Sequence, residues 1–432
     1  MTTRRPGIVH LGVGAFARAH LAWYTQRAAG VPWGITAFTG RSAHAAEALA
    51  AQDCRYTLVT RAAAGDTAEV VDAIVAAHPG SDDEAWRRAV ASADTSIVTL
   101  TVTEAGYRAD SDVPARLVDG LAARRDAGGG RIALVSLDNL THTGEVLRRA
   151  VASAVDDAAL RTWIDEHVAF PSSMVDRITP ATTDADVAGL ADLPGALPGD
   201  RVPVVTEPFA EWVLEDAFAG VDRPAWETAG VRLVGDVTPF EQRKLWLLNG
   251  AHSVLAYLGM LLGHETVAEA VGDPRCRAAV DQLWDEASAE LTLPADETTA
   301  ARAALLGRFA NPRIRHTLRQ IAAGGSEKLP VRVVDVVRRR RDRDPDAGIG
   351  PGAATAIAAW WLHCTEQPAL VTDPGAPGPD SDLHAVLAVI APDLDTTPVV
   401  AAVTATADRI RAAAHDTGSA AGSPRTDEGV HA

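Results

Sequence analysis

A glycine-rich segment near the N-terminus constrains the fold of this chain more than any other feature. An apolar run over residues 8–11 leads into GVGAFA at residues 12–17, which has the form G-x-G-x-x-A. Between a strand and a helix, the first glycine permits a tight turn, the second lets a pyrophosphate approach the backbone, and the small third residue lets the helix pack on the strand. The segment predicts a dinucleotide site at Gly12, Gly14, Ala15 and Phe16. A glycine-rich turn without a ligand is the alternative, because the motif alone is weak.

The order of apolar runs predicts the fold class. In the first part of the chain, strand-like runs alternate with amphipathic stretches, as in a parallel sheet wound with helices. We expect strands over residues 7–11, 33–38, 56–60, 69–76, 96–102, 131–137, 202–205 and 231–237, and helices over 83–91 and 144–154. Beyond residue 237 the periodicity is helical, over 239–262, 276–291, 301–309, 313–322, 353–363 and 399–414.

These patterns divide the chain into two domains and a tail. Residues 1–235 are predicted to form an α/β Rossmann-type dinucleotide-binding domain, and residues 236–414 a mostly α-helical substrate and catalytic domain. The final stretch, 415–432, is polar and rich in Gly, Ser and Pro. Such a composition predicts a disordered tail.

Charge and cysteine content argue against several classes of protein. The chain has 432 residues and a formal net charge of -17, which disfavours a nucleic-acid or anionic-membrane surface. Cys54, Cys276 and Cys364 are far apart and join no Cys/His cluster, so neither a disulfide framework nor a metal site is expected. No signal-peptide stretch and no run of roughly 18 apolar residues is present. We therefore expect a cytoplasmic protein, as a monomer or a small homo-oligomer.

The segment after the second predicted strand bears on cofactor choice. In NAD enzymes an acidic residue there binds the adenosine ribose, whereas an arginine accommodates the 2′-phosphate of NADP. Here residues 39–43 read TGRSA, and the first carboxylate is Glu47. Arg41 and Ser42 could hold a 2′-phosphate, so both NAD and NADP remain possible. The alternative for Arg41 is a solvated loop residue.

Lysine is scarce, which draws attention to the two that remain. Of 40 basic residues, only Lys244 and Lys328 are lysines. Unlike arginine, a lysine can lose its proton near neutral pH, so a retained lysine is a candidate for proton transfer. Asparagine is nearly as rare, and Asn249 lies close to Lys244 in the segment EQRKLWLLNGAH at residues 241–252. A compositional accident is the alternative.

The same segment predicts a helix with a polar wall. The sequence TPFE at 238–241 is typical of a capping box with proline at the first helical position. On an α-helix Glu241, Lys244 and His252 fall within about 80° of one another, with Asn249 a further 60° round. Among leucines an ammonium loses hydration, which favours a neutral general base. Asn249 can donate to an oxygen that gains charge, and His252 can bond a hydroxyl. Satisfied buried polar groups, with Glu241 only a cap, are the alternative.

Together these motifs resemble the mannitol dehydrogenase family of polyol-specific long-chain dehydrogenases. The resemblance rests on an ordered series: IVHLGVGAFARAH at 8–20, TLTVTEAGY at 99–107, SLDN at 136–139, FPSSMVDRITP at 170–180, TEPF at 206–209, KLWLLNGAH at 244–252 and GSEKLP at 325–330. The chain departs from the family at Ala17, Leu21 and Gly324, and it lacks the acidic residues that follow the second strand in NAD-using relatives.

The resemblance implies a metal-independent NAD(P)-dependent oxidoreductase that interconverts a secondary alcohol and a ketone of an open-chain sugar derivative. It implies Lys244 as general base, Asn139 and Asn249 as stabilisers of the alkoxide-like oxygen, and His252 and Asp176 as residues that position substrate hydroxyls. It also implies that Lys328 contacts the far end of the substrate. Glu241 and Glu104 match carboxylates that relay the proton to solvent. A non-enzymatic sensor of sugar or cofactor is the competing hypothesis.

The late motif favours one branch of the family. Gln320 and the segment at 325–332 are more similar to fructuronate reductases (D-mannonate oxidoreductases) than to mannitol enzymes, which tend to carry arginine in place of Gln320. A substrate carboxylate needs cationic partners, and Lys328 with Arg332 could provide them. We therefore expect D-mannonate and D-fructuronate as substrates. D-mannitol and D-fructose, or another polyol, are the alternative, with Arg332 then a surface residue.

Overall fold

The computed structural model describes residues 3–40, 42–394 and 396–420 of the chain. It divides into two compact units, one running to Glu241 and one beginning at Gln242.

The first unit is built on a six-stranded parallel sheet. Its strands are β1 (Arg5–Leu11), β2 (Trp33–Phe38), β5 (Ile74–His78), β6 (Ile97–Leu100), β7 (Ile132–Ser136) and β8 (Val168–Ala169), in the order β5-β2-β1-β6-β7-β8. This is the Rossmann strand order. The first three strands are added toward one edge of the sheet and the next three toward the other edge, so the order reverses between the first and fourth strands. The switch point therefore lies between β1 and β6, where ligands of this fold bind.

Helices cover both faces of the sheet. Ile8 and Val9 are both buried but belong to different apolar cores, one on each face. The helices of this unit are α1 (Ala15–Ala17), α2 (Trp23–Arg27), α3 (His44–Ala50), α4 (Asp83–Ala91), α5 (Asp112–Asp126), α6 (Thr143–Ser153), α7 (Ala158–His167) and α8 (Asp184–Gly189). The predicted Rossmann-type domain is confirmed.

Two three-stranded sheets complete the unit. They contain β3 (Tyr56–Ala62), β4 (Gly65–Val71) and β10 (Val204–Thr206), and β9 (Ser173–Asp176), β11 (Glu211–Glu215) and β12 (Arg232–Val234). The single strand predicted over 69–76 is wrong. The chain leaves β4, which pairs with β3, and enters β5 of the main sheet. Because the apolar pattern runs on across this break, it does not reveal the change of hydrogen-bonding partner.

The second unit is helical, as predicted. It contains α10 (Gly250–Leu261), α11 (Val267–Gly272), α12 (Pro274–Ser288), α13 (Ala295–Phe309), α14 (Leu318–Ala322), α15 (Gly325–Leu329), α16 (Asp335–Arg343), α17 (Pro351–Glu366), α18 (Leu383–Ile390) and α19 (Thr397–Ala420), while α9 (Thr238–Arg243) straddles the division. Its core surrounds the buried side chains of Trp246, Trp284 and Trp360. None of the described helices is long and apolar enough to span a membrane.

Two predicted helical stretches differ from the structure. The helix expected over 313–322 shortens to α14, because residues 316–318 bond to the segment at 265–267. At the other end, α19 continues to Ala420, so the stretch expected to be a disordered tail begins inside a helix. Residues 421–432 lie outside the described part of the chain.

Within the described residues, three segments are π-helical: Arg18–Ala22, Lys244–Asn249 and Pro330–Val334. They fall in the glycine-motif helix, in the helix of Lys244, and just after Lys328. Single π-turns are rare and recur at functional sites, because the wider turn redirects side chains. The sequence carries no propensity signal for them, and all three were expected to be α-helical or unassigned.

Candidate active site

The turn after β1 has the geometry of a dinucleotide-binding loop. Gly12 has φ +100°, and a Cβ there would lie 2.1 Å from the carbonyl oxygen of Thr101. The backbone N–H groups of Gly12 and Val13 donate to Phe38 O at 2.8 and 2.9 Å. At Gly14, in contrast, a Cβ would meet only Gly12 O at 3.7 Å, and no side chain caps the helix that follows. This open, uncapped helix start fits a pyrophosphate.

A buried histidine on β1 is linked to the glycine turn through two threonines. His10 Nδ1 lies 2.9 Å from Thr99 Oγ1 and its Nε2 lies 3.2 Å from Thr101 Oγ1. Thr101 in turn donates to Gly12 O at 2.7 Å. Burial lowers the pKa of His10 to about 4, so the ring is neutral and the network carries no charge. His10 is not among the residues predicted for the site, although a histidine in an apolar strand before the motif was a visible signal.

The residues that follow β2 do not show whether the protein binds a cofactor with or without a 2′-phosphate. Residues 39–43 contain no carboxylate. Arg41, the predicted reader of a 2′-phosphate, lies outside the described residues.

The loops after β6 and β7 carry Glu104 and Asn139, both exposed. Asp138 ties the two loops together, because its carboxylate accepts backbone N–H bonds from Val102 at 3.0 Å and Thr103 at 2.9 Å. Tyr107 donates its hydroxyl to the same carboxylate. Both loops leave the carboxyl edge of the sheet beside the switch point, so Glu104 and Asn139 are held at the place where this fold binds ligands. Asp138 lies within the SLDN motif, but its sequence position predicted no role for it.

Asp176, expected to position substrate, is the last residue of β9 and is buried. It pairs with Glu211 in the antiparallel ladder of the third sheet. The strand thus fixes the backbone from which its carboxylate projects.

Glu241 does not close the capping box that the TPFE sequence predicts. The backbone N–H of Thr238 donates to Asp236 Oδ1 at 2.8 Å, so Asp236 caps this helix. Glu241 instead accepts the backbone N–H of His142 at 2.9 Å. Its carboxyl is buried, and burial raises its pKa. The TPFE pattern was misleading because a better placed carboxylate precedes it by two residues.

Lys244, Asn249 and His252 lie along one continuous helix, as predicted. The run from Lys244 to Asn249 is π-helical, however, and Gly250 N–H bonds to Leu245 O five residues back. In such a turn, residues five apart return to the same side of the helix. Asn249 therefore lies nearer to the face of Lys244 than the α-helical estimate of a further 60° placed it. Asn249 is buried, while Lys244 is partly exposed.

His252 is buried in a cationic neighbourhood. Its ring centroid lies 4.9 Å from that of Phe309 and 5.0 Å from that of His316. Burial and nearby positive charge hold its pKa well below the ordinary value, so the ring is neutral; the charged or titratable neighbours are His316, Arg332, Arg308 and Lys328. Its Nε2 is buried and makes no hydrogen bond to any described residue. A neutral imidazole nitrogen is thus available to a ligand hydroxyl.

Lys328 and Arg332 both reach this neighbourhood. Lys328 Nζ donates to the carbonyl oxygens of Ile321, at 3.3 Å, and Ala323. Arg332 Nη1 makes long bonds of 3.4 Å to Asn249 O and 3.3 Å to Ser253 Oγ. The structure therefore brings together Asn249, His252, Lys328 and Arg332 within the second unit.

Family models match most of both units. The mannitol dehydrogenase Rossmann domain matches residues 6–228, and the mannitol dehydrogenase C-terminal domain matches residues 236–376. The chain belongs to the mannitol dehydrogenase family. The predicted family and fold class are confirmed.

Similar proteins in this family differ in substrate. D-mannonate oxidoreductase of Escherichia coli K12 is 37% identical over 82% of this chain and 79% of its own length. A polyol:NADP oxidoreductase of Gluconobacter oxydans is 36% identical over 78% of this chain and 76% of its own length. The structure of Pseudomonas fluorescens mannitol 2-dehydrogenase with NAD and D-mannitol superimposes with a TM-score of 0.77 and 32% identity, over 98% of this chain and 95% of that one.

Membership in the mannitol dehydrogenase family makes the chain an NAD(P)-dependent oxidoreductase that acts on CH–OH groups. The prediction of an enzyme is thus confirmed, and the non-enzymatic sensor is set aside. The glycine turn of the first unit fits the cofactor that such an activity requires.

Proposed function

We propose that this enzyme interconverts D-mannonate and D-fructuronate with NAD or NADP. The observation that carries the proposal is Arg332, a largely desolvated guanidinium. Burial lowers its pKa to about 10, so it remains charged at neutral pH. Its only hydrogen bonds to described residues go to neutral oxygens, and no carboxylate among those residues pairs with it. A desolvated cation without a counter-ion is costly, and a substrate carboxylate would remove that cost.

Lys328 adds a second reason to expect an anion. Burial and the positive charge of Arg332 lower the pKa of Lys328. The two cations therefore repel one another in a region of reduced solvation. A carboxylate between them would be attracted to both cations and would offset their mutual repulsion. The hydroxymethyl group of a neutral polyol would not reduce that repulsion.

The proposal gives each candidate site residue of the two units one chemical role. Lys244 takes the proton of the reacting hydroxyl as general base, and Asn139 and Asn249 donate N–H bonds to the oxygen as it gains negative charge. His252, neutral and with a free ring nitrogen, accepts from a neighbouring substrate hydroxyl. Asp176 binds another hydroxyl.

Proton exchange and cofactor binding complete the proposal. Glu241, with Glu104 as a second candidate, passes the proton from Lys244 toward solvent. Gly12, Gly14, Ala15 and Phe16 form the cofactor turn. A cofactor held by this turn would supply the acceptor or the donor of the hydride.

Mannitol 2-dehydrogenase activity is the second candidate. It is favoured by the likeness to the Pseudomonas fluorescens enzyme, which holds D-mannitol in its solved complex. Under this reading Lys328 serves any polyol, and Arg332 has no ligand of opposite charge.

A reduction panel decides between them. Fructuronate, tagaturonate and fructose are each reduced with NADH and with NADPH, and kcat/KM is compared. We expect fructuronate to exceed fructose by at least roughly tenfold, about what one charge-assisted hydrogen bond contributes. A preference for fructose would overturn the substrate and leave the dehydrogenase assignment in place.

A further inference from the structure

The two oxygens of the Glu241 carboxyl have different environments. Oε1 accepts the backbone N–H of His142 at 2.9 Å. Oε2 is buried and has no hydrogen-bond partner among the described residues. One oxygen is thus fixed while the other is free to gain or release a proton.

The exposed imidazole of His142, which can exchange protons with water, lies close to that second oxygen. Its Nδ1 lies 3.9 Å from Oε2, and its side chain is 55% exposed whereas that of Glu241 is 3% exposed. The distance is too long for a direct hydrogen bond, but one water molecule or a small ring rotation spans it. His142 therefore places an exposed imidazole beside a buried carboxyl.

The backbone holds His142 in this position. The residue adopts the left-handed conformation, φ 50° and ψ 45°, at the start of α6. This conformation is uncommon for a side chain larger than glycine, and histidine and asparagine tolerate it better than most. It points the N–H of His142 at Glu241 and anchors the ring beside the same carboxyl.

The surrounding charges suit proton transfer. The charged groups that act on Glu241 are His142, Glu215 and Asp236. The two carboxylates favour the protonated form of the Glu241 carboxyl, and so raise its pKa further. Glu241 is therefore suited to hold a proton next to the exposed imidazole of His142.

We propose that His142 is the outer end of the proton path, carrying the proton between Glu241 and solvent. The inference rests on the proposed role of Glu241 as relay for Lys244. During alcohol oxidation, the protonated Glu241 carboxyl gives its proton to the neutral His142 ring, and the resulting imidazolium passes it to water or buffer. During ketone reduction the same proton moves inward, so atoms and charge balance in both directions.

The test is the variant His142→Asn in the full-length enzyme. Asparagine accepts the left-handed conformation and keeps the backbone N–H that Glu241 needs, but it cannot be protonated. Whichever of D-mannonate and D-mannitol the wild-type enzyme oxidises is mixed with enzyme and NAD in dilute buffer. NADH formation is followed by absorbance and proton release by a pH-indicator dye.

In the wild type we expect proton release to keep pace with NADH formation. In His142→Asn we expect release to slow by roughly 10²-fold, the lower end of what a positioned proton-transfer group contributes. Added imidazole should restore the rate of proton release in this variant, while its KM and its melting temperature should equal those of the wild type. His384→Asn, an exposed histidine on α18, is the matched control and should behave as wild type.

Two results would overturn the proposal. Proton release in His142→Asn that is as fast as in the wild type would show that Glu241 reaches solvent by another path. Slower turnover that imidazole does not rescue, with a lowered melting temperature, would show a structural role only. Either result leaves the proposed function intact if Lys244→Ala still lowers turnover by roughly 10²-fold or more, so the two failures are distinguishable.

Discussion

The carboxylate of Glu241 accepts a hydrogen bond from the backbone N–H of His142 and not from the start of its own helix. The two residues are 99 positions apart in the chain. A buried carboxyl with this partner does not cap the start of its own helix, since the N–H of Thr238 at that start donates to Asp236. The residue is therefore retained at a cost in stability, which is measurable.

Glu241→Gln should raise stability at neutral and alkaline pH while lowering turnover. In the folded protein burial raises the pKa of Glu241, so the folded state holds its proton more tightly than the unfolded chain. The resulting stabilisation is present below the ordinary carboxyl pKa and is lost as pH rises through the folded pKa. Glutamine keeps the acceptor for His142 without ionising.

Melting temperatures of wild type and Glu241→Gln should therefore diverge near pH 8 and converge as pH falls toward about 4. A difference that is the same at every pH would mean that ionisation of Glu241 does not oppose folding. Asp236→Asn serves as the control, because Asp236 is a helix cap whose pKa is lowered by bonds to Thr238.

Lys244→Ala should reduce turnover by roughly 10²- to 10⁴-fold, the usual contribution of a positioned general base. Lys244→Arg makes the test sharper, because arginine keeps the positive charge but does not lose its proton near neutral pH. Both variants should be impaired, and small primary amines should restore part of the activity of Lys244→Ala. Near-normal turnover in Lys244→Arg would reduce Lys244 to an electrostatic role.

The sheet was predictable because buried parallel strands are continuous apolar runs. The strand expected over 33–38 and the helix expected over 83–91 match Trp33–Phe38 and Asp83–Ala91 residue for residue. The errors lie where an apolar pattern has two explanations. Residues 69–76 satisfy the pattern of one strand, but the chain exchanges one sheet for another within them.

Only those site residues could be predicted that are rare polar side chains within an otherwise apolar helix or strand. Lys244, Asn249 and His252 did so within one helix. Thr101, which bonds Gly12 from 89 residues away, and His316, whose ring packs on His252, did not. Such contacts arise from tertiary packing between distant segments. The π-turn at Lys244 is also set by packing, because its sequence has ordinary helix formers.

Gly12→Ala and Gly14→Ala should fail in different ways. At Gly12 a methyl group would meet Thr101 O at 2.1 Å in a left-handed conformation. We expect a loss of about 1 to 3 kcal/mol of stability even without cofactor. At Gly14 a methyl group has room and no strain, so stability should be unchanged while NADH binding weakens. Thermal melts and NADH titration of both variants measure the difference; equal melting temperatures would contradict the strain argument.

Arg41→Ala should weaken NADPH binding and leave NADH binding nearly unchanged. The prediction rests on sequence, because residues 39–43 carry no carboxylate for the adenosine ribose while Arg41 can pair with a 2′-phosphate. Dissociation constants for both cofactors, measured by fluorescence titration, provide the test. Equal losses for NADH and NADPH would show that Arg41 does not distinguish the phosphate.

Arg332→Ala should erase much of the preference for a uronate. If a substrate carboxylate bonds to the guanidinium, its removal costs about 1.5 to 3 kcal/mol, or at least roughly tenfold in kcat/KM for fructuronate. Fructose, which lacks the carboxylate, should lose little. Arg332→Lys should retain part of the preference, because it keeps the charge without the two-pronged donor geometry.

Arg409→Ala, which removes an exposed arginine on α19, is the matched control and should change neither substrate. The decisive quantity is the ratio of kcat/KM for fructuronate to that for fructose in Arg332→Ala and in wild type. An equal loss of kcat/KM for both substrates would mean that Arg332 positions Asn249 and Ser253, to which it donates hydrogen bonds, and does not bind the substrate carboxylate. A ratio that falls toward one would identify Arg332 as the residue that selects the anionic substrate.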